Sequence, residues 1–454
     1  MRLMILGSGY VGLVSGCCFA EFGFEVICVD VDPSKIKQLQ QGVLPIYEPE
    51  LPMLLSKNLA AKRISFTTDL YAEINNVDLI LLAIGTTNIP NTAKVDLSAM
   101  LSAVRSLALH LKKYTPIVIK STVPPGTGDM LRQEILNINS HAKFDMVSNP
   151  EFLREGTAVN DFMRPDRIII GLDNPATRKI MTKLYYPFHS QQIPLIFTNL
   201  KSAELIKYAA NAFLATKIAF INEIADICEA IDANVQVISH AMGLDHRIGE
   251  QFLQPGPGFG GSCLPKDSLV LNQFANNVDR PSKIIASVIA ANESRKNACV
   301  IKVISACNGS VNGKNIAILG LAFKANTDDI RESPALTLIS CLLAAGAIIT
   351  AYDPVAINNT KNHFGPQPNL KYAANIKQCI SGAHALVLIT DWSEFRSLKA
   401  NDLHMMLRPY DEQSPAVFVD LRNLYSLDHF KDLNIRYVSI GRPSCQSELY
   451  NEHQ

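Results

Sequence analysis

The chain opens MRLMILGSGYVG, which sets glycines at positions 7, 9 and 12 directly behind a short apolar run and at the start of an apolar helical one. No other feature of the sequence limits the fold as strongly. In a strand–turn–helix unit Gly7 makes the tight turn, Gly9 lets the backbone approach a pyrophosphate, and Gly12 lets the helix pack closely, while the helix N-terminus offers unpaired N–H donors. Asp30 closes the next apolar run, 18 residues past Gly12. A carboxylate there accepts hydrogen bonds from the adenosine ribose hydroxyls and repels a 2′-phosphate, which favours NAD over NADP. Glycines at this spacing can also serve a tight turn alone; the strand, the helix and the acid around them carry the dinucleotide reading. Lys35 stands within reach of the ribose region, although a single lysine on a helix is commonly a solvated charge.

Short β-branched runs then alternate with helical stretches: Leu3 to Leu6, Val26 to Val29, Leu79 to Ala83, Ile117 to Ile119 and Ile168 to Ile170. This is the βαβ rhythm of a doubly wound parallel sheet, and runs so uninterrupted belong in strands covered on both faces. From about Lys201 to Ile231 the pattern changes, with Leu205, Ile206, Ala209, Phe213, Ile218, Ile221, Ile224 and Cys228 at helical spacing and no glycine or proline between them. Such a helix would be roughly 45 Å long. It reads as a connector between lobes and a dimer surface, with burial inside one chain as the plainer alternative. A second α/β rhythm starts near Asn315: a strand over Ile316 to Leu319, a helix capped by Ser333 with Pro334 in its first turn and ended by Gly346, then strands at Ile348 to Tyr352, Ala385 to Ile389 and Val417 to Val419. It has no GxGxxG after its first strand, so it should bind something other than a dinucleotide. From about Arg442 the chain is polar and without period, as in a loose tail. The predicted class is α/β, two Rossmann-like doubly wound parallel-sheet domains joined by a long central helix.

Composition agrees with a large globular chain, since 48% of the 454 residues are hydrophobic. Basic and acidic residues number 42 each, which provides no global field for nucleic acid or an anionic membrane. The ten cysteines include no CxxC pair. Their scatter points to a reducing compartment and to neither a disulfide framework nor a metal site. With no cleavable leader and no apolar run of about 18 residues, the expected location is the cytoplasm.

Several stretches resemble the UDP-glucose 6-dehydrogenase family: GSGYVG, LPIYEP at 44–49, STVPPGT at 121–127, NPEFLRE at 149–155, DHRIG at 245–249, FGGSCLPKD at 259–267 and FKANTDDIRES at 323–333. They occur in order over nearly the whole chain. The resemblance implies an NAD-binding Rossmann-like domain over 1–198, a central helical and dimerisation region with a catalytic cysteine loop over 199–300, a UDP-sugar domain over 301–441 and a flexible tail over 442–454. One departure is GTTNIP at 85–90, where relatives usually carry proline directly after GlyThr; it is expected to alter a cofactor-side loop without removing function.

The implied reaction is NAD-dependent four-electron oxidation of UDP-glucose to UDP-glucuronate, with two NADH formed. Taking an alcohol to an acid requires two hydride removals without loss of the aldehyde, and a thiolate meets that need through a thiohemiacetal and then a thioester. Cys263 is the only cysteine in a glycine-rich loop, and Pro265 suits the first turn of a following helix, whose N-terminus favours thiolate. The other nine cysteines read as small buried hydrophobes. Lys207 and Asn211, four apart on the long helix, are by resemblance the groups that stabilise charge on the C6 oxygen. The resemblance also makes Glu151 the general base for hydrolysis and sets Asp267 with Thr122 on the shared water. Glu155, Thr86, Tyr10, Val11 and Arg331 fall to the cofactor, with Thr122 shared. Phe152, Leu153, Phe252, Phe259, Gly260, Lys324 and Arg247 fall to the nucleotide sugar beside Glu151, Lys207 and Asn211, Arg247 from a neighbouring subunit and Arg422 as a weaker member.

Within the enzyme class the alternative is a relative acting on GDP-mannose or a UDP-N-acetylhexosamine. DHRIG together with the run from Phe252 to Cys263 looks most like the glucose branch. A non-catalytic scaffold is opposed by the intact Cys263, Lys207, Asn211 and Asp267, and a one-step alcohol dehydrogenase would leave Cys263 without a purpose. No basic, aromatic-interleaved stretch supports nucleic-acid binding. The expected partners are the nucleotide sugar and a second copy of the chain.

Overall fold

The structure, a computed structural model, describes residues 1–89, 92–411, 414–431 and 433–443. Its contacts divide the described residues into two compact units, Met1–Ala210 with Gln273–Val278, and Asn211–Asn272 with the described residues from Asp279 onward. The first holds an eight-stranded sheet: β1 (Arg2–Leu6), β2 (Glu25–Val29), β3 (Ile64–Thr67), β4 (Leu79–Leu82), β5 (Ile117–Ile119), β6 (Met146–Ser148), β7 (Ile168–Gly171) and β8 (Leu195–Thr198). Their order is β3-β2-β1-β4-β5-β6-β7-β8. On β1, Leu3 and Ile5 enter one core while Met4 and Leu6 enter the other, which is why the run shows no polar alternation.

The first six strands are parallel, in the doubly wound order expected for a dinucleotide fold. β7 and β8 depart from the all-parallel expectation. They are parallel to each other, but β7 meets β6 antiparallel through Ser148 and Gly171. The connection from β6 to β7 contains the NPEFLRE loop and a helix of only 6 residues, Ala158–Met163, so it does not complete a crossover.

The second unit has a six-stranded, wholly parallel sheet: β9 (Asn315–Leu319), β10 (Ile348–Tyr352), β11 (Leu370–Tyr372), β12 (Ala385–Leu388), β13 (Ala416–Asp420) and β14 (Ile435–Ser439). The order β11-β10-β9-β12-β13-β14 repeats the winding of the first six strands of the other sheet. Ser333 caps the helix Pro334–Ala344 as expected, accepting from the Ala335 N–H, and Gly346 turns the chain at φ 84°. Asp353 follows β10 where Asp30 follows β2, yet it accepts from the backbone N–H of Leu321, Ala322, Val355 and Ala356 and from the Trp392 indole. An acid so fully engaged has little capacity for a ribose, which agrees with a second sheet built for another ligand.

A helix of 31 residues, Leu200–Ala230, carries the chain from the first unit into the second. At about 1.5 Å per residue it is roughly 46 Å long. The packed chain also extends further than expected at its end. Arg442 is buried, donating to the carbonyl of Tyr425 at 2.7 Å and to the Tyr437 hydroxyl at 2.8 Å. The rest of the proposed tail, from 444, and Pro90 of the GTTNIP run lie outside the described residues.

The glycine turn explains its own sequence. A Cβ on Gly12 would lie 1.9 Å from the Gly7 carbonyl oxygen, whereas one on Gly9 would meet nothing within 4 Å. Gly12→Ala is therefore expected to cost about 1–3 kcal/mol of stability. Gly9→Ala should leave the melting temperature unchanged while weakening NAD binding roughly tenfold, about 1.4 kcal/mol. Thermal melts and NAD titrations of the two variants check this; an unstable Gly9→Ala protein, or one that binds NAD normally, contradicts it.

Candidate active site

At the nucleotide end of the first unit, β1 leads through Gly7, at φ 98°, into the helix Tyr10–Glu21, whose N-cap Gly9 has no side chain to satisfy the first N–H groups. Open space beside Gly9 and these N–H groups fit a pyrophosphate. Asp30 is buried, accepting from the Ser8 N–H at 2.8 Å, the Asp32 N–H at 3.1 Å and the Lys35 ammonium at 3.0 Å. Burial works against its charge, but the two N–H donors and Lys35 outweigh it and hold the carboxyl below its ordinary value. Lys35 is thus the partner of Asp30, where sequence left it between ribose contact and solvated charge. Thr86 donates to the Thr122 carbonyl at 2.9 Å, so the loops after β4 and β5 meet. Tyr10 donates to Glu48, and Val11 packs against the core. Burial pushes the Tyr10 phenol up, with Glu48 and Glu155 nearby adding to it.

The loop after β6 brings Glu151 to the long helix. Lys207 lies 3.5 Å from the Glu151 carboxylate, with side chains only 3% and 7% exposed. The ring of Phe152 has the Arg167 guanidinium 3.8 Å and the Lys207 ammonium 5.1 Å from its centre, and the Leu153 N–H donates back to Glu151. Lys207 thus meets a carboxylate that the resemblance assigns to the same site.

Cys263 of the second unit stands directly before the helix Leu264–Asn277, with Pro265 in its first turn, and its carbonyl accepts from the Asp267 N–H at 2.8 Å. The thiol is partly exposed and lies 3.6 Å from the Ser262 hydroxyl. Asp267, 1% exposed, accepts from the Asn211 amide at 2.6 Å and lies 2.9 Å from the Lys266 ammonium. The amide of Asn211 is therefore fixed, with its N–H aimed at the acid. The glycine loop is pressed onto the FKANTDDIRES segment, because a Cβ on Gly260 would sit 2.5 Å from the Glu332 oxygen and one on Gly261 2.7 Å from the Phe323 ring.

The expected ligand contacts differ in their surroundings. Phe259 is buried among Ala215, Ala219 and Val288, and Asn292 brackets its backbone at 2.8 and 3.0 Å. Arg247 is exposed and chelated by Asp245, and Arg331 likewise by Asp329, both at 2.6 Å. Lys324 stands 5.6 Å from the centre of the Phe323 ring, and Phe252 adopts φ 66°. Arg422 donates to the carbonyls of Ile389 and Phe323 at 2.8 and 2.9 Å, which makes it a backbone brace.

Three buried charges escaped the sequence reading. Glu48 accepts from the N–H groups of Gly156 at 2.6 Å and Ala158 at 2.7 Å, tying LPIYEP to the loop that carries Glu151. Glu204, three residues before Lys207, accepts from Gly126 at 2.6 Å and Gly128 at 2.8 Å. Burial pushes its carboxyl up to about 7 against the pull of these N–H groups. Lys120, at the end of β5, was visible only as a lysine closing an apolar strand.

Comparison with known proteins covers the same ground. Residues 1–189 match the NAD binding domain of the UDP-glucose/GDP-mannose dehydrogenase family, residues 201–294 its central domain and residues 317–427 its UDP binding domain. The UDP-glucose 6-dehydrogenase of Rhizobium meliloti is 46% identical over 445 residues, covering 98% of this chain and all 100% of that one. A UDP-glucose dehydrogenase from Pyrobaculum islandicum superimposes with a TM-score of 0.86 at 31% identity, covering 96% of each chain. A UDP-D-ManNAc dehydrogenase from Pyrococcus horikoshii gives 0.83 at 26% identity, covering 97% of this chain and 99% of that one. NAD is the cofactor of the first domain. With its nucleotide turn and cysteine loop in place, the chain belongs to the UDP-glucose/GDP-mannose dehydrogenase family of NAD-dependent oxidoreductases.

Proposed function

We propose that the chain oxidises C6 of UDP-glucose to the carboxylate, forming UDP-glucuronate and two NADH. The observation that carries this reading is Cys263, a partly exposed thiol at a helix N-terminus, one helical turn from Asp267, which is buried with Asn211 and paired with Lys266. The 46% identity to the Rhizobium meliloti enzyme supports glucose as the sugar.

When bound, NAD supplies the hydride acceptor for both oxidations. The protein's part begins at the C6 hydroxyl, whose proton passes to a base as the C–H bond breaks. Lys207 and the Asn211 amide oppose negative charge on that oxygen. The Cys263 thiolate then forms a C–S bond with the aldehyde, and the oxygen takes up a proton, giving the thiohemiacetal. The second oxidation turns this into a thioester. Water adds to its carbonyl carbon as Glu151 takes the proton, and cleavage of the C–S bond returns the thiolate and releases the acid. Thr122 and Asp267 orient the groups around that water. Gly7, Gly9, Gly12 and Asp30 hold the dinucleotide, with Thr86, Tyr10, Val11, Glu155 and Arg331 around it.

We place the enzyme in the cytoplasm, in keeping with nine described cysteines that are all free. Among the described residues no helix is long and apolar enough to cross a membrane. A homodimer is supported by the long helix, where Phe213, Phe220 and Ile227 recur every seven residues and are 65%, 46% and 54% exposed. Apolar groups at that interval form one stripe suited to a partner helix.

Two measurements test this reading. A panel of UDP-glucose, GDP-mannose and UDP-N-acetylhexosamines should give the highest kcat/KM with UDP-glucose and two NADH per sugar. One NADH per sugar, or preference for another sugar, contradicts it. Phe213→Glu with Phe220→Glu should turn a dimer into a monomer by sedimentation; a wild-type monomer, or a variant that stays dimeric, removes the helix from the interface.

A further inference from the structure

Lys120 closes β5 and is 5% exposed. Its ammonium donates to the Asn149 side-chain oxygen at 3.2 Å and to the Tyr185 hydroxyl at 3.4 Å, and lies 6.0 Å from the ring centres of Phe162 and Tyr185. Tyr185 itself donates to Asn149, whose amide is anchored on the Ile169 carbonyl at 2.7 Å. Among the described residues, both hydrogen-bonding partners of this buried cation, Asn149 and Tyr185, are neutral. A structural role at such a position is filled more cheaply by an apolar side chain, because a desolvated charge without an ion pair costs several kcal/mol.

What the charge does is visible in its surroundings. Lys120 and Glu151 line one cavity of about 40 Å³ together with Asn149, Phe152 and Tyr185, a space that suits water. Asp161 and Arg167 line it too, but Asp161 is held by Arg154 at 2.6 Å and Arg167 lies over the Phe152 ring. The charged groups left to interact with Lys120 are therefore Glu151 and, beyond it, Lys207, 3.5 Å from that carboxylate. We propose that Lys120 is a positioning residue for the reaction, whose buried charge acts through Glu151 and favours the carboxylate that takes the proton of water. Burial brings the Lys120 ammonium down to about 8, with Glu151 pulling it up and Lys207 pushing it down.

The inference rests on the reading of Glu151 and Lys207 as groups of the reaction. Removing the Lys120 charge takes away one of the two cations near the Glu151 carboxylate that serves as base, which moves the acid limb of activity upward. The test is kcat for UDP-glucose against pH, in wild type, Lys120→Gln and Lys120→Arg. The glutamine variant should have its acid limb raised by about one pH unit, and arginine should return it toward wild type. A glutamine limb that superimposes on wild type overturns the proposal, even if the rate falls. Should Lys120→Gln not fold, Asn149→Asp keeps the lysine and neutralises it in place; its limb should also rise, and an unmoved one overturns the proposal. Wild type that fails to give two NADH per UDP-glucose would undo the functional reading, whereas an unmoved limb in a variant that still gives two undoes only the role of Lys120.

Discussion

Glu151 and Lys207 are buried together, 3.5 Å apart, on two elements distant in sequence, the loop after β6 and the long helix. A buried ion pair is weak support for stability, because desolvating two charges consumes most of their attraction. Its effect is registry. The pair fixes where the helix passes the loop, and Glu204 repeats the constraint one turn earlier by clamping the N–H groups of Gly126 and Gly128. The STVPPGT loop, the NPEFLRE loop and the helix are thereby held as one assembly, and Glu48 adds the nucleotide turn through Tyr10. Much of the first unit's candidate site is thus positioned by buried carboxylates that accept from backbone N–H groups, bonds stronger than neutral ones.

The nucleotide turn and the cysteine loop were legible in sequence because their chemistry is local. Gly7, Gly9 and Gly12 act through backbone space within one turn, Asp30 lies at a fixed distance along a βαβ unit, and Cys263 is marked by the glycines before it and the proline after it. Strand positions were equally readable where both faces are buried, as in β1 and β4. The direction of β7 was not, since an apolar run looks the same either way and the pairing depends on how the preceding loop returns. The role of Asp353 was not readable either, because its five donors lie on three separate segments of the chain.

Lys120, Glu48 and Glu204 were illegible for another reason. Each is a single charge whose partners lie on other elements, and sequence gives no sign that a lone lysine or glutamate is buried. Phe259 is a different case. Its place in the FGGSC motif suggests a ligand contact; in the structure it packs with Ala215, Ala219 and Val288, while Gly260 and Gly261 closely approach Glu332 and Phe323. Motif membership locates a site; which atom of each residue works there is a matter of tertiary packing.

The central claim is a covalent acyl intermediate on Cys263, resolved by water with Glu151 as base. Its most direct test is intact-protein and peptide mass spectrometry of Glu151→Gln after acid quench from UDP-glucose and NAD. The account predicts that the peptide containing Cys263 gains the mass of a UDP-glucuronyl acyl group, with two NADH formed per modified site. An unmodified Cys263 peptide in a variant that still forms two NADH and releases the acid would contradict it.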